Sequence, residues 1–326
     1  MLPNFTYVKP TSLADAVRQL NFPGASVHAG GSDLLGCLRD RVFEATRLVS
    51  ISGLDALRGI APEAGGGLRI GALTTLSELA SSKLVGEQSA VLAQAAGAAA
   101  SPQLRNQGTL GGNLCQRPRC WYFRGDFHCA RKGGDTCYAM GGENHYHCIF
   151  GGSACLIVHP SDTAPALVAL DARVQVTGPG GSRTIPIASF FVLPEKDITR
   201  ENVLERGEMV TDVLIPPQPP NQRSMYRKVR GRGSWDFALA SLALTISLKA
   251  GVVERARLVL GGAAPVPWRV EGAEKAIVGR KLEPKAIAAA AEAALKGAQP
   301  LEQNGYKVPL FKGVITESLT LMAKAS

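Results

Sequence analysis

Six of the seven cysteines and three of the five histidines of this 326-residue chain fall between Cys115 and Cys155. The segment reads CQRPRCWYFRGDFHCARKGGDTCYAMGGENHYHCIFGGSAC. A fold that gathers so many thiols needs a chemical reason, and ligation of a metal or cluster is the most economical one. A disulfide knot belongs to small secreted domains that cannot build a core, whereas a chain of this length can bury large ones. The expectation is therefore a metal site, iron-sulfur first, with the remaining residues organised around it.

Composition narrows the rest. A chain with 45% hydrophobic and 19% charged residues reads as soluble and globular, and its length suggests about two or three domains. No apolar run approaches the roughly 20 residues of a membrane span. The opening MLPNFTYVKP lacks the regions of a signal peptide, so the cytoplasm is the expected compartment. The formal charge is +9, but the Lys and Arg residues are scattered. No aromatic-interleaved basic stripe forms, so no nucleic-acid partner is expected. No Ser-His-Asp, paired-carboxylate or H-E-x-x-H constellation stands out, which leaves the chemistry to cofactors.

In chain order, Ser12 precedes Leu13, Ala16, Val17 and Leu20 at helical spacing, so a capped amphipathic helix is expected there. An apolar approach through Val27 leads to Ala29-Gly30-Gly31-Ser32-Asp33 and a helix-like LLGCLRD. Consecutive glycines between strand and helix let the backbone approach a ligand closely, with N–H groups available to an anion; an isolated pair reads first as a plain turn. Leu68, Ile70 and Ala72 alternate as a strand, Thr75 opens a helix, and an alanine-rich helix runs from about Ala90 to Ala100. Pro102 breaks it, and a second glycine pair, Gly111-Gly112, follows Thr109. Two such loops could hold the two ends of one extended dinucleotide. Neither fits G-x-G-x-x-G, which disfavours a nicotinamide Rossmann domain. Further on, APALVALDARVQV turns from helix to strand, GPGGSRT makes a hairpin turn, and MVTDVLIP is a strand. The run PPQPPNQ marks a boundary before a region of strands followed by helices.

The motifs AGGSDL (Ala29 to Leu34), LRIGALTTLSEL, TLGGNL (Thr109 to Leu114), HPSDTAPAL (His159 to Leu167) and YRKVRGRGSWDFALAS (Tyr226 to Ser241) stand in an order that resembles one family throughout the chain. It is the FAD-binding medium subunit of the molybdenum hydroxylases, such as xanthine dehydrogenase and aldehyde oxidoreductase. The resemblance implies an α+β fold: a two-subdomain FAD-binding domain of the PCMH/VAO-like type, with residues 1–57 and 58–218 as its subdomains, and a small α+β carboxy-terminal domain at 219–326. FAD would be bound by Ala29, Gly30, Gly31, Ser32, Asp33 and Leu34 and by Thr109, Gly111, Gly112 and Asn113, through backbone N–H groups aided by the Ser32 and Thr109 hydroxyls. Asp162 would hydrogen-bond the flavin's polar part, although an Asp before an apolar run also commonly caps a helix. Lys228 would lie near the cofactor.

Most members pass directly from the GGN loop to the SD motif, whereas here the cysteine segment intervenes. It resembles an insertion, at 115–155, that carries a 4Fe-4S cluster in aldehyde oxidoreductase medium subunits of the periplasmic type and, more distantly, in 4-hydroxybenzoyl-CoA reductase. The first pattern implies Cys120, Cys129, Cys137 and Cys155 as ligands; the second would exchange Cys129 for Cys148. Cys115 and Cys37 read as small buried hydrophobes. Four thiolates could also hold a structural zinc, though paired C-x-x-C knuckles are missing. His128, His145 and His147 are expected as surface or hydrogen-bonding residues, and Trp121, Tyr122 and Phe123 as a shield over the cluster.

The implied function is electron transfer. A large molybdenum-cofactor subunit would oxidise an aldehyde, aromatic or N-heterocyclic substrate, and a small 2Fe-2S subunit would pass electrons to FAD here and on to an external acceptor. Such a complex could be exported by a partner's signal. An autonomous FAD-dependent reductase and a zinc-stapled subunit without flavin are the alternatives.

Overall fold

The Ser12 hydroxyl accepts from the Asp15 N–H at 3.1 Å and starts the helix Leu13–Leu20, as its place before an amphipathic run requires. That helix packs on a small parallel sheet of β1 (Thr6–Val8), β2 (Ala25–His28) and β3 (Arg47–Ser50), in the order β1-β3-β2. The first glycine pair leaves the end of β2 and feeds the short helix Leu34–Arg39.

The computed structural model describes residues 1–324. Its second sheet is antiparallel, in the order β4 (Ile60–Pro62), β5 (Leu68–Gly71), β8 (Met209–Ile215), β6 (Arg173–Gly178) and β7 (Gly181–Pro186). Thr75 opens the helix Leu76–Ser81 with a capping box: its hydroxyl accepts from the Glu78 N–H at 3.1 Å, and its own N–H donates to the Glu78 carboxylate at 2.7 Å. The alanine-rich helix spans Ala90–Ala98. Pro102 ends that run and begins the helix Pro102–Gln107, where its missing N–H and fixed φ suit the first turn.

The third sheet is β9 (Gln222–Val229), β10 (Ala240–Lys249), β11 (Val252–Gly261) and β12 (Trp268–Arg269), antiparallel in the order β12-β11-β10-β9. Alternation along β10 assigns its two faces. Leu242, Leu244 and Ile246 pack under the helices Glu271–Ile277, Pro284–Ala294 and Lys307–Lys324, while Ala243 joins the core of the second sheet. The carboxy-terminal sheet is thus buried on both sides.

The cysteine segment holds only the helix Trp121–Arg124 and the 3-10 turns Ala130–Lys132 and Tyr138–Met140. It is still firmly placed. Ile149 and Phe150 are buried in the carboxy-terminal core, with the Phe150 ring stacked 5.3 Å from Trp268. Their N–H groups both donate to Ala263 O, at 2.8 and 3.1 Å. Asn304 Nδ2 donates to the carbonyls of His147 and Cys148 at 3.0 and 3.1 Å. Burial of one Ile and one Phe contributes about 1.5–3 kcal/mol each. Among the described residues no helix is long and apolar enough to cross a membrane.

Candidate functional site

The two glycine loops meet. A Cβ on Gly30 would lie 1.8 Å from the carbonyl oxygen of Gln107, just before the second loop, so only glycine permits this approach. Gly31 has φ +71°, the left-handed region that glycine enters freely. Together the loops wall a cavity of about 550 Å³. Ala29, Gly30, Gly31, Ser32, Asp33 and Leu34 line one side, and Thr109, Gly111, Gly112 and Asn113 the other. Its size is that of a cofactor pocket.

The loops offer different things. Among the described residues, the N–H groups of Gly30, Gly31, Ser32 and Asp33 donate to no protein acceptor. They form a nest of free donors of the kind that holds phosphate. In the second loop the N–H groups are taken: Gly111 donates to Ala72 O, Gly112 to the Thr109 hydroxyl and Asn113 to Thr109 O, at 2.9, 3.2 and 2.8 Å. The expectation that both loops present backbone donors is corrected for this one. Thr109 caps its own helix, and Asn113 Oδ1 accepts from Ser161 and Thr163 at 2.5 and 2.6 Å, tying the GGN loop to the HPSDT loop. What this loop supplies is a close backbone wall.

Asp162 lies at the cavity edge and makes no capping bond; Ser161 caps the helix Thr163–Ala169 by accepting from Ala164 N at 3.0 Å. The Asp162 carboxylate instead accepts from Tyr226 Oη at 2.6 Å and from Lys228 Nζ at 2.8 Å. Burial pushes its pKa up, against the pull of Lys228 and Tyr226, and burial with the Asp162 charge pushes Tyr226 well above its usual range. Lys228, expected beside the cofactor, stands one residue back. Its ammonium is committed to Asp162 and to Ala98 O at 3.1 Å.

Beyond the first loop, Cys120, Cys129, Cys137 and Cys155 line one small cavity together with Tyr122, Phe123, Arg131 and His147. Cys148 packs behind it against Ala139 and Leu156. Burial pushes the Cys120 thiol up to about 11 and Cys148 up to about 12, and also raises Cys155, so at these three positions a cation would favour the thiolate. His147 Nε2 is 3.3 Å from Cys120 Sγ, while His128 and His145 are exposed. Phe123 is buried over the cavity, but Trp121 is 39% exposed and edge-on to Tyr146, so the expected three-ring shield reduces to Tyr122 and Phe123. Among the described residues no three His, Cys, Asp or Glu side chains converge closely enough to hold a single metal ion. Cys37 and Cys115 line the glycine-loop cavity, where burial raises them to about 11 and 12.

The profile of the FAD binding domain in molybdopterin dehydrogenase matches residues 3–218, and that of the CO dehydrogenase flavoprotein C-terminal domain matches 193–323. The chain belongs to the FAD-binding medium subunits of the molybdenum hydroxylase family. Among relatives of this flavoprotein is the aldehyde oxidoreductase FAD-binding subunit PaoB of Escherichia coli strain K12, 37% identical over 97% of both chains. Another is the carbon monoxide dehydrogenase medium chain of Hydrogenophaga pseudoflava, 29% identical over 92% of this chain and 89% of the relative. The solved carbon monoxide dehydrogenase of Hydrogenophaga pseudoflava superposes with a TM-score of 0.78 at 28% identity, over 98% of this chain and 97% of that one.

Sequence reasoning left several of the flavoprotein's cavity residues unassigned. Arg117 and Arg119 line the cavity from the start of the cysteine segment. Trp235, Asp236 and Phe237 close it from the carboxy-terminal domain, with the Arg119 guanidinium 4.9 Å from the Phe237 ring centre. The signals were present in RPRC and GSWDF, but nothing local says which wall they join.

Proposed function

We propose that this subunit is a two-centre electron carrier, with FAD between the glycine loops and a 4Fe-4S cluster held by Cys120, Cys129, Cys137 and Cys155. When bound, the flavin supplies a centre that exchanges both single electrons and pairs, and the cluster supplies a one-electron relay. The observation that carries the reading is the lining of one cavity by those four cysteines beside the flavin loops. A tetrahedral zinc site is the alternative, and the chain lacks the paired C-x-x-C knuckles typical of one.

The chain's own residues bind and orient. The nest from Gly30 to Asp33 meets the pyrophosphate, the GGN loop sets the opposite wall, and Asp162, held by Tyr226 and Lys228, meets the polar part of the flavin ring. Tyr122 and Phe123 exclude water from the thiolates. A molybdenum-cofactor subunit and a 2Fe-2S subunit are the proposed partners, with an external acceptor at the far end; the similarity to an aldehyde oxidoreductase subunit supports an aldehyde as substrate.

The test is the visible spectrum of anaerobically purified protein with iron, zinc and flavin analysis. About four irons per flavin is the expected result, and zinc without flavin refutes it. Cys129→Ser should lose the iron while Cys148→Ser keeps it; the opposite result reassigns the ligands.

A further inference from the structure

Between the flavin cavity and the cysteine cavity runs a seam of charged groups that converges on the Asp33 side chain. Its Oδ2 accepts from the backbone N–H of Arg117 at 2.7 Å. Its Oδ1 accepts from Arg124 Nη2 at 2.7 Å and pairs with Arg119 Nη1 at 2.9 Å. These three residues belong to the cysteine segment and surround Cys120. Arg124 also donates to Pro118 O and Arg117 O, at 2.7 and 3.1 Å, and its own N–H donates to Cys120 O at 2.9 Å. Residues 117–124 are therefore one braced arm, and its brace is a carboxylate of the flavin loop. A second tie joins the same arm to Glu201: Arg117 Nε pairs with its carboxylate at 2.9 Å, and Glu201 also accepts from the buried Arg131 Nε at 3.0 Å.

The charges do not balance within the seam. Four guanidinium groups face two carboxylates in these ion pairs, all of them at least partly buried. Excess positive charge out of water is costly unless anions approach it. Arg117 and Arg119 line the flavin cavity, and Arg131 lines the cysteine cavity, so each face of the seam meets the place proposed for one anionic group. Occupying either cavity removes part of the repulsion and fixes the shared arm.

We propose that Asp33 is a positioning residue that couples the two cofactor sites, so that a loaded cysteine cavity strengthens FAD binding and bound FAD strengthens retention of the cluster. This rests on the 4Fe-4S reading above. Reciprocity follows from linkage: whatever factor one group gains from the other is returned in equal measure.

The experiment compares FAD dissociation constants, by quenching of flavin fluorescence, for the full chain with its cluster reconstituted anaerobically and after stripping by chelator. In the unaltered chain the loaded form should bind FAD at least about fivefold more tightly, the lower end of ordinary coupling. In Asp33→Asn, which keeps the size and an acceptor but loses the charge, that ratio should fall to near one. Arg124→Met breaks the same tie from the other side and should do likewise; it stands in if Asp33→Asn does not fold. A merely structural Asp33 would weaken both forms equally and leave the ratio unchanged, which overturns the proposal. A ratio of one in the unaltered, iron-loaded chain also overturns it. Failure of the unaltered chain to take up iron is a different outcome, and brings down the cluster reading itself.

Discussion

Lys228→Met offers the cleanest test of how the flavin cavity is held. The Lys228–Asp162 pair is 2.8 Å long, with side chains only 3% and 7% exposed. Removing the ammonium leaves the largely buried Asp162 carboxylate with one neutral donor, the Tyr226 hydroxyl. Breaking a buried pair in this way costs about 3–5 kcal/mol. At about 2–4 °C of Tm per kcal/mol in larger domains, the melting midpoint should fall by roughly 10 °C. The pH dependence gives the diagnostic. Asp162 already has its pKa raised by burial, and loss of the cation raises it further. A carboxyl with a raised folded pKa carries no penalty below its unfolded value of about 3.9; above it the penalty grows by up to about 1.4 kcal/mol per pH unit until the folded pKa is passed, and is constant beyond. The variant should therefore approach the parent in acid and fall away from it as pH rises. Lys228→Met/Asp162→Asn should recover most of the loss. Urea unfolding at fixed FAD concentration, repeated from pH 4.5 to 8, measures both. A loss that is flat with pH and persists in the double variant refutes the uncompensated-charge argument.

The other perturbations separate space from charge. Gly30→Ala forces its new Cβ against the Gln107 carbonyl and should weaken FAD binding by about tenfold or more in a fluorescence titration, whereas Gly36→Ala, with nothing within 4 Å, should leave affinity unchanged and stabilise its helix by about 0.5–1 kcal/mol. His159 is fully buried, and burial lowers its pKa to about 3. Its depressed folded pKa means stability is lost as pH falls below the unfolded value of about 6.5, by up to about 1.4 kcal/mol per unit. His159→Gln should flatten the chain's stability profile between pH 6.5 and 5; an unchanged slope counts against this assignment.

Local rules carried the sequence reading where the chain's neighbours in sequence decide the outcome. Ser12, Thr75 and Pro102 do their work within three residues, and the glycine pairs announce close backbone approach by themselves. The motif order implied the flavin fold because it is a pattern over the whole chain. What stayed hidden is long-range pairing. Lys228 finds Asp162 and Arg124 finds Asp33 across 66 and 91 residues, and no periodicity points from one to the other. The same holds for Trp121, grouped with Tyr122 and Phe123 by composition; a helix turn rotates it towards Tyr146 and the surface.

The burial of Ile149 and Phe150 in the carboxy-terminal core has a consequence in time. The strands that enclose these two side chains lie ninety or more residues later, β10 from Ala240 and β11 to Gly261, with Ala263 receiving both backbone bonds. Asn304 and the buried Lys307 reach the same stretch from just before and within the last helix. During synthesis Ile149 and Phe150 have no core to enter until that region has emerged. The anchor of the segment is therefore made long after the segment itself, whereas the cavity that gathers Cys120, Cys129, Cys137 and Cys155 is lined by residues 120–157 alone.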